Sequence, residues 1–170
     1  MAQLHAFPSA GVSVTQQAPA ARFSLRLSSA NIEAASRALG VALPDKVGGI
    51  ASGGNLRALC LGPDEWLLES EHAGRPALPV GLPHALVDIS DREIVFRIEG
   101  SRAIELLSIG IARDLRRLGV GQGCRTVFDS AQAILVRESA AVFTLSVWRS
   151  FASHVAELLQ IGQREFSTGY

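Results

Sequence analysis

The chain has 170 residues, of which 48% are hydrophobic, and its 16 basic and 16 acidic residues give a formal net charge of zero. A chain of this length and composition buries about 70% of the surface that its unfolded form exposes, which excludes a disordered protein. Because it has no basic excess, it also does not have the charge that binding to a nucleic-acid backbone requires.

Residues 1–22 are predicted to form a flexible, poorly ordered N-terminal arm. Pro8, Gly11 and Pro19 interrupt this segment, and the polar run Thr15–Gln17 gives it no apolar face. It has no basic stretch followed by an apolar core, and no apolar run in the chain approaches the roughly 20 residues that cross a bilayer. We therefore expect no leader segment and no membrane association.

The two cysteines, Cys60 and Cys124, do not form a CxxC pair and are too few for a disulfide framework. So few thiols are typical of proteins from a reducing compartment. The sequence therefore predicts a cytoplasmic protein. Cys60 lies within an apolar strand and is expected to be buried.

One construction occurs three times after the arm: a strand with alternating apolar residues, a Ser that could cap a helix, a helix with one apolar face, and a closing Gly. In the first copy, Phe23, Leu25 and Leu27 alternate with polar residues. The copies span residues 23–40, 94–110 and 143–162, with candidate caps at Ser28 or Ser29, Ser101 and Ser150 and closing glycines at Gly40, Gly110 and Gly162.

Runs that are typical of antiparallel strand pairs lie between these copies. The pairs are Leu56–Leu61 with Glu65–Glu69, and Arg125–Asp129 with Gln132–Glu138. The repeated unit is thus β-α-β-β, which predicts an α+β fold with antiparallel sheets carrying helices on one side, of the split β-α-β type. Residues 41–55 and 72–83 are predicted loops. Residues 23–170 then form either a single domain or two lobes, 23–83 and 84–170.

The sequence predicts no catalytic, cofactor-binding or metal-binding residue. The histidines do not have the i, i+4 spacing that places two imidazoles on one metal. No Ser lies in a G-x-S-x-G motif, and neither Cys is next to a His that could act as its base. Gly121-Gln122-Gly123 resembles part of a phosphate-binding loop, but without the Lys and the following helix it is interpreted as a turn. The four histidines are His5, His72, His84 and His154.

Two groups of residues are candidates for a partner interface. Arg113, Arg116 and Arg117 can share one side of a short helical turn, where they form either a solvated face or a contact with an acidic partner surface. Trp148 lies on the opposite face of its strand from the apolar residues, so it either covers an edge of the core or anchors a partner together with Arg149.

Five strings, in this order, resemble the gamma subunit of heterotetrameric sarcosine oxidase, and the resemblance covers about residues 23–162. They are LGPDEWLL at 61–68, VDISDR at 87–92, IEGSRAIELL at 98–107, GCRTVF at 123–128 and VWRSFASHVAELL at 147–159. The resemblance implies a bacterial cytoplasmic complex of four different chains. In it, the alpha and beta subunits hold FAD, FMN, NAD and the tetrahydrofolate site, and the delta subunit carries zinc. The complex oxidises sarcosine to glycine and passes the one-carbon unit to tetrahydrofolate, and the gamma subunit carries no cofactor.

A wider resemblance is to the aminomethyltransferase of the glycine cleavage system, which also has a V-D-x-S strand followed by a G-x-x-A helix. In that family a pair of Asp residues opens a later strand and supplies the folate-reactive carboxylate. The corresponding residues here, 130–135, read SAQAIL and contain no carboxylate. The resemblances together imply a folate-binding-domain fold and a non-catalytic accessory subunit. The alternatives are a stand-alone folate-binding aminomethyltransferase-like protein and a small-molecule sensor domain.

Overall fold

The computed structural model describes residues 11–70, 72 and 74–168. The chain divides into two compact units, which we call the first unit (residues 19–90) and the second unit (described residues 11–18 and 91–168). Each unit has one five-stranded antiparallel sheet and its own hydrophobic core.

In the first unit, one helix packs on one face of the sheet. Ala35 and Leu39 of this helix, α1, join Phe23, Leu25 and Trp66 in the core. The Trp66 indole N–H donates to the Pro44 carbonyl oxygen at 2.8 Å, so this buried ring is also satisfied as a donor. The elements are β2 (Ala21–Leu27), α1 (Ile32–Leu39), β3 (Ile50–Gly53), β4 (Leu56–Gly62), β5 (Glu65–Ser70) and β6 (His84–Asp88).

In the second unit, two helices pack on one face of the sheet. Leu106 and Leu107 of α2 and Val155 and Leu159 of α3 pack into one core with strand residues such as Phe143. The elements are β1 (Ser13–Gln16), β7 (Glu93–Glu99), α2 (Ala103–Ser108), β8 (Gln122–Phe128), β9 (Ala131–Ser139), β10 (Val142–Trp148) and α3 (Ala152–Thr168).

The two sheets have the same strand order. The first unit's sheet runs β3-β4-β5-β2-β6 and the second unit's runs β8-β9-β10-β7-β1. In each sheet, the chain forms a strand, then a helix, and later a hairpin. In the first unit β5 lies between β2 and β4, which are therefore parallel to each other. In the second unit β10 lies between β7 and β9 in the same way. This is the split β-α-β arrangement.

The predicted fold class is confirmed: the chain is an α+β protein whose antiparallel sheets carry their helices on one side. The boundary between the units differs from the predicted lobes. It lies at Ser90, not at Pro83, because β6 pairs with β2 and so belongs to the first sheet. Residues 50–53 of the predicted loop also form a strand, β3, on the edge of that sheet.

The structure differs from the prediction of a poorly ordered arm over residues 11–22. Ser13–Gln16 form β1, which pairs with Glu99–Phe96 of β7, and Arg22 lies within β2. The first ten residues of the predicted arm lie outside the described residues.

The predicted serine caps and one predicted helix end are wrong. Short 3₁₀ turns, at Ser29–Asn31 and Arg149–Phe151, connect β2 to α1 and β10 to α3, and no serine side chain caps a helix within the described residues. Gly40 ends α1 in the left-handed conformation, at φ 67°, as predicted. Gly162 does not end α3, which continues to Thr168.

Candidate functional site

The largest aromatic side chain that the second unit exposes lies at the end of β10. Trp148 is 41% exposed, whereas Val142 and Ser146 on the same face of the strand are buried. The Arg92 guanidinium carbon lies 5.9 Å from the centre of the Trp148 ring, within the range of a cation–π interaction. Trp148 is therefore a surface residue, and we call Trp148, Arg149, Phe151 and Arg92 the Trp148 patch.

Arg149 is held at the surface by the two residues that precede β7. Its Nε donates to the Asp91 carbonyl oxygen at 2.8 Å, and a terminal nitrogen lies 3.5 Å from Asp91 Oδ1. Its backbone N–H donates to the Arg92 carbonyl oxygen at 2.8 Å. The side chain nevertheless stays 58% exposed, so part of the guanidinium remains open to a ligand or a partner.

Arg149 also lines a cavity of about 300 Å³ between the sheet and the first turn of α3. Apolar groups form much of its wall, and polar groups from Arg149, Gln16 and Ser153 lie among them. The lining residues are Gln16, Ile94, Phe96, Arg149, Ala152, Ser153 and Ala156.

The predicted helical turn with three arginines is present as a 3₁₀ turn over Leu115–Arg117. We call Arg113, Arg116 and Arg117 the arginine cluster; all three are exposed, while Leu115 beside them is buried. Asp114 lies 2.9 Å from Arg116 Nε and 3.9 Å from Arg117 Nε. One carboxylate is thus shared by two guanidinium groups, and hydrogen bonding to Arg116 lowers the pKa of Asp114.

The structure does not bring the two predicted groups together. Trp148 follows Val147, which is opposite Ala133 near the start of β9. Arg137, near the other end of β9, donates to the Leu118 carbonyl oxygen next to the arginine cluster at 2.8 Å. The Trp148 patch and the arginine cluster therefore lie at opposite ends of the strands of the second unit's sheet.

The sequence analysis missed a pairing between an acid and a histidine. His154 Nε2 lies 2.9 Å from Asp129 Oδ2, and the Ser130 hydroxyl donates to the same oxygen at 3.0 Å. Asp129 has a φ of 52°, which a non-glycine residue rarely adopts. Hydrogen bonds from His154 and Ser130 lower the pKa of Asp129. The contact joins residues 25 positions apart, so no spacing rule could have predicted it.

The other chemistry-bearing residues have structural surroundings. Cys60 is buried as predicted; its thiol donates to the Gly62 carbonyl oxygen at 3.2 Å, and burial raises its pKa. Cys124 is partly buried, and burial raises its pKa too. Among the described residues, no three His, Cys, Asp or Glu side chains are grouped as they would be around a metal ion. His5 lies outside the described residues.

The two sheets, each with helices on one face, define a class of α+β protein to which the aminomethyltransferases also belong. The glycine cleavage system aminomethyltransferase T from Bartonella henselae shares this fold, with a TM-score of 0.68 and 18% sequence identity over 90% of this chain and 46% of that one. The chain itself matches the family described as "Sarcosine oxidase, gamma subunit family" over residues 27–165, and it belongs to that family.

A solved structure agrees with this assignment. A chain of the heterotetrameric sarcosine oxidase from Corynebacterium sp. U-96, in complex with pyrrole 2-carboxylate, is similar with a TM-score of 0.85. The sequence identity is 28%, and the similarity covers 94% of this chain and 87% of that chain. Among curated protein sequences, none is significantly similar. Within the described residues, no helix has both the length and the apolar character that crossing a bilayer requires.

Proposed function

We propose that this chain is a non-catalytic accessory subunit of a heterotetrameric sarcosine oxidase. The family match over residues 27–165 carries the proposal. The similarity to a chain of a heterotetrameric sarcosine oxidase, over 87% of that chain's length, supports it. Its partners are then the alpha, beta and delta subunits of a cytoplasmic complex.

In this proposal the chemistry belongs to the other three subunits. They hold FAD, FMN, NAD, tetrahydrofolate and zinc, and the complex oxidises sarcosine to glycine while passing a one-carbon unit to tetrahydrofolate. Residues 130–135, at the start of β9, support an accessory role for this chain, because the resemblance to the aminomethyltransferases implies paired carboxylates there and this chain has none. Here Ala131, Ala133 and Leu135 are buried in the core of the second unit instead.

The exposed groups described above are where the other subunits would dock. Trp and Arg are enriched at protein interfaces, because the indole offers a large, rigid contact area and the guanidinium offers several directional hydrogen-bond donors. The Trp148 patch combines an exposed indole with Arg149 and Arg92, next to a cavity that could take a side chain of a partner. The arginine cluster would meet carboxylates.

Co-expression with the other three chains tests the proposal. A tag on this chain should recover all four chains, with flavin absorbance and sarcosine oxidation. The chain purified alone should have neither property. A chain that binds none of the others, or that oxidises sarcosine alone, would contradict the proposal. Calorimetric titration of the lone chain with tetrahydrofolate tests the alternative, because a stand-alone transferase would bind it.

A further inference from the structure

The strand β8 is an unusually long outer strand for this protein. It has seven residues, Gln122–Phe128, and within the described part of the chain its one pairing partner is β9. The other three outer strands, β1, β3 and β6, have four, four and five residues. The strand that holds the same place in the first unit's sheet is β3, so the length of β8 does not follow from the shared topology.

Among the described residues, no strand pairs with the outer edge of β8. Within the described chain, no backbone hydrogen bond from outside the sheet reaches residues 123–128. On β6, in contrast, the Arg75 guanidinium donates to the Leu86 carbonyl oxygen at 2.7 Å and occupies part of the edge. Alternate N–H and C=O groups of an outer strand point away from its sheet, so β8 is a template for a further strand.

The sequence of β8 gives this edge little protection beyond the charge of Arg125. Proteins commonly block an exposed edge with Pro, Lys or a short strand. Residues 122–128, QGCRTVF, contain neither Pro nor Lys. Val127 is β-branched and 51% exposed, so it would be covered by an added strand or a neighbouring surface of a partner.

The arginine cluster lies beside the start of this strand. Burial raises the pKa of the Cys124 thiol in β8, and the nearby Arg113 guanidinium partly offsets this rise. The side chains of Arg116 and Arg117 are 81% and 86% exposed, and they share the single carboxylate of Asp114. Because Leu115 is buried in the core, the turn that carries these arginines is fixed relative to β8. The surplus positive charge favours an acidic partner.

We propose that an extended, acidic segment of a partner chain adds to β8 as a sixth strand of the second unit's sheet, with its carboxylates against the arginine cluster. The inference rests on the proposed function, since it states how a partner of the complex binds. A second copy of this chain fits less well. The β8 strand of a second copy, QGCRTVF, has no carboxylate to place against the arginine cluster.

Amide hydrogen exchange on the lone chain and on the assembled complex tests the added strand. We expect alternate amides of residues 123–128 to exchange at least about tenfold more slowly in the complex, because backbone hydrogen bonds protect them. A complex that assembles while these amides keep their exchange rates would overturn the inference and leave the proposed function standing. Protection of the same amides in a dimer of the lone chain would also overturn it.

Substitution tests the charge contribution. The double change Arg116→Ala and Arg117→Ala should weaken association with the other chains at least about tenfold, with a smaller loss at high salt. The matched control is Arg37→Ala with Arg164→Ala, two exposed arginines on the helices α1 and α3. Melting temperatures of both variants should equal that of the wild-type chain. Equal association of the two double variants would contradict the role of the cluster, and a wild-type chain that never assembles would contradict the proposed function itself.

Discussion

Trp148 differs from the protein's other tryptophan in what surrounds it. Trp66 is 1% exposed and contributes to the first unit's core, whereas Trp148 is 41% exposed and has the Arg92 guanidinium 5.9 Å from its ring centre. An exposed cation–π pair contributes about 0.5–1 kcal/mol. The indole of Trp148 therefore contributes little to folding and is available for a partner.

We expect Trp148→Ala to lower the free energy of unfolding of the isolated chain by about 1 kcal/mol or less, because the indole is not in the core. Association with the other subunits should weaken at least about tenfold, as at an interface anchor. Chemical denaturation and co-purification measure the two effects. Val87→Ala, which removes apolar surface from an exposed position, is the control for association.

Trp66→Ala is the contrasting variant for stability and should cost about 3–5 kcal/mol, as is usual when a core aromatic residue is truncated. If Trp148→Ala unfolds the chain as readily as Trp66→Ala does, Trp148 is part of the core and the Trp148 patch is not an interface.

Asp129 provides a pH test of the contact with His154. Hydrogen bonds from His154 and Ser130 lower the pKa of Asp129 in the folded chain, so the ionised carboxylate stabilises the fold. This stabilisation is complete above the ordinary Asp pKa of about 3.9, and it is lost as the pH falls through the lowered pKa. Thermal unfolding of wild type and Asp129→Asn from neutral to acidic pH measures it.

We expect the difference in melting temperature between wild type and Asp129→Asn to shrink as the pH falls below about 4, where the wild-type carboxylate takes up a proton. Asn also tolerates the left-handed backbone that Asp129 adopts, at φ 52°, so the turn itself is kept. Other carboxylates with lowered pKa values, such as Asp88 and Asp114, are present in both proteins and cancel. A difference that stays constant to the lowest pH would refute the role of the carboxylate.

At the scale of elements, Gly162 determines how closely α3 packs on α2. A Cβ at this position would lie 2.6 Å from Leu106 Cδ1 and 3.1 Å from Ile109 Cδ1. The exposed Ile109 can move aside, but Leu106 is fully buried. Replacing Gly by Ala in a helix gains about 1 kcal/mol, whereas overpacking a core costs about 1–3 kcal/mol. The packing cost is the larger of the two.

Gly162→Ala should therefore lower the free energy of unfolding by about 1 kcal/mol. The same substitution made on a Leu106→Ala background should be neutral or stabilising, because the methyl group that it meets is gone. Denaturant unfolding of the two single variants and the double variant measures the coupling. Equal effects in both backgrounds would show that the helices do not meet at Gly162.

The sequence predicted the elements whose burial follows a regular pattern. Alternation identified β2, β7 and β10 because the core buries one face of each. It missed β1 and β6, in which only Val14 and Leu86 are buried, because an outer strand with a single buried residue has no measurable period. These strands are defined by their pairing partners, and the partner of Val14 is Ile98, 84 positions away.

The same limit applies to the candidate surfaces. The exposure of Arg116 and Arg117 followed from helical spacing, because Leu115 and Leu118 must point inward. The pairing of Asp129 with His154, and the open edge of β8, depend on how distant segments meet. No local pattern of the sequence contains that information.

At the scale of the whole molecule, the chain consists of two units with the same strand order and different outer surfaces. Among the described residues, the second unit differs from the first in having a second helix, the Trp148 patch, the arginine cluster and the long outer strand β8. We therefore expect most contacts with the partner chains to involve the second unit.

Native mass spectrometry of the complex purified through a tag on this chain tests the central claim most directly. We expect one dominant species whose mass equals one copy each of this chain and the alpha, beta and delta chains, and whose solution oxidises sarcosine. The accessory role is wrong if the dominant species has the mass of this chain alone while the other three chains form an active complex without it in the same cells.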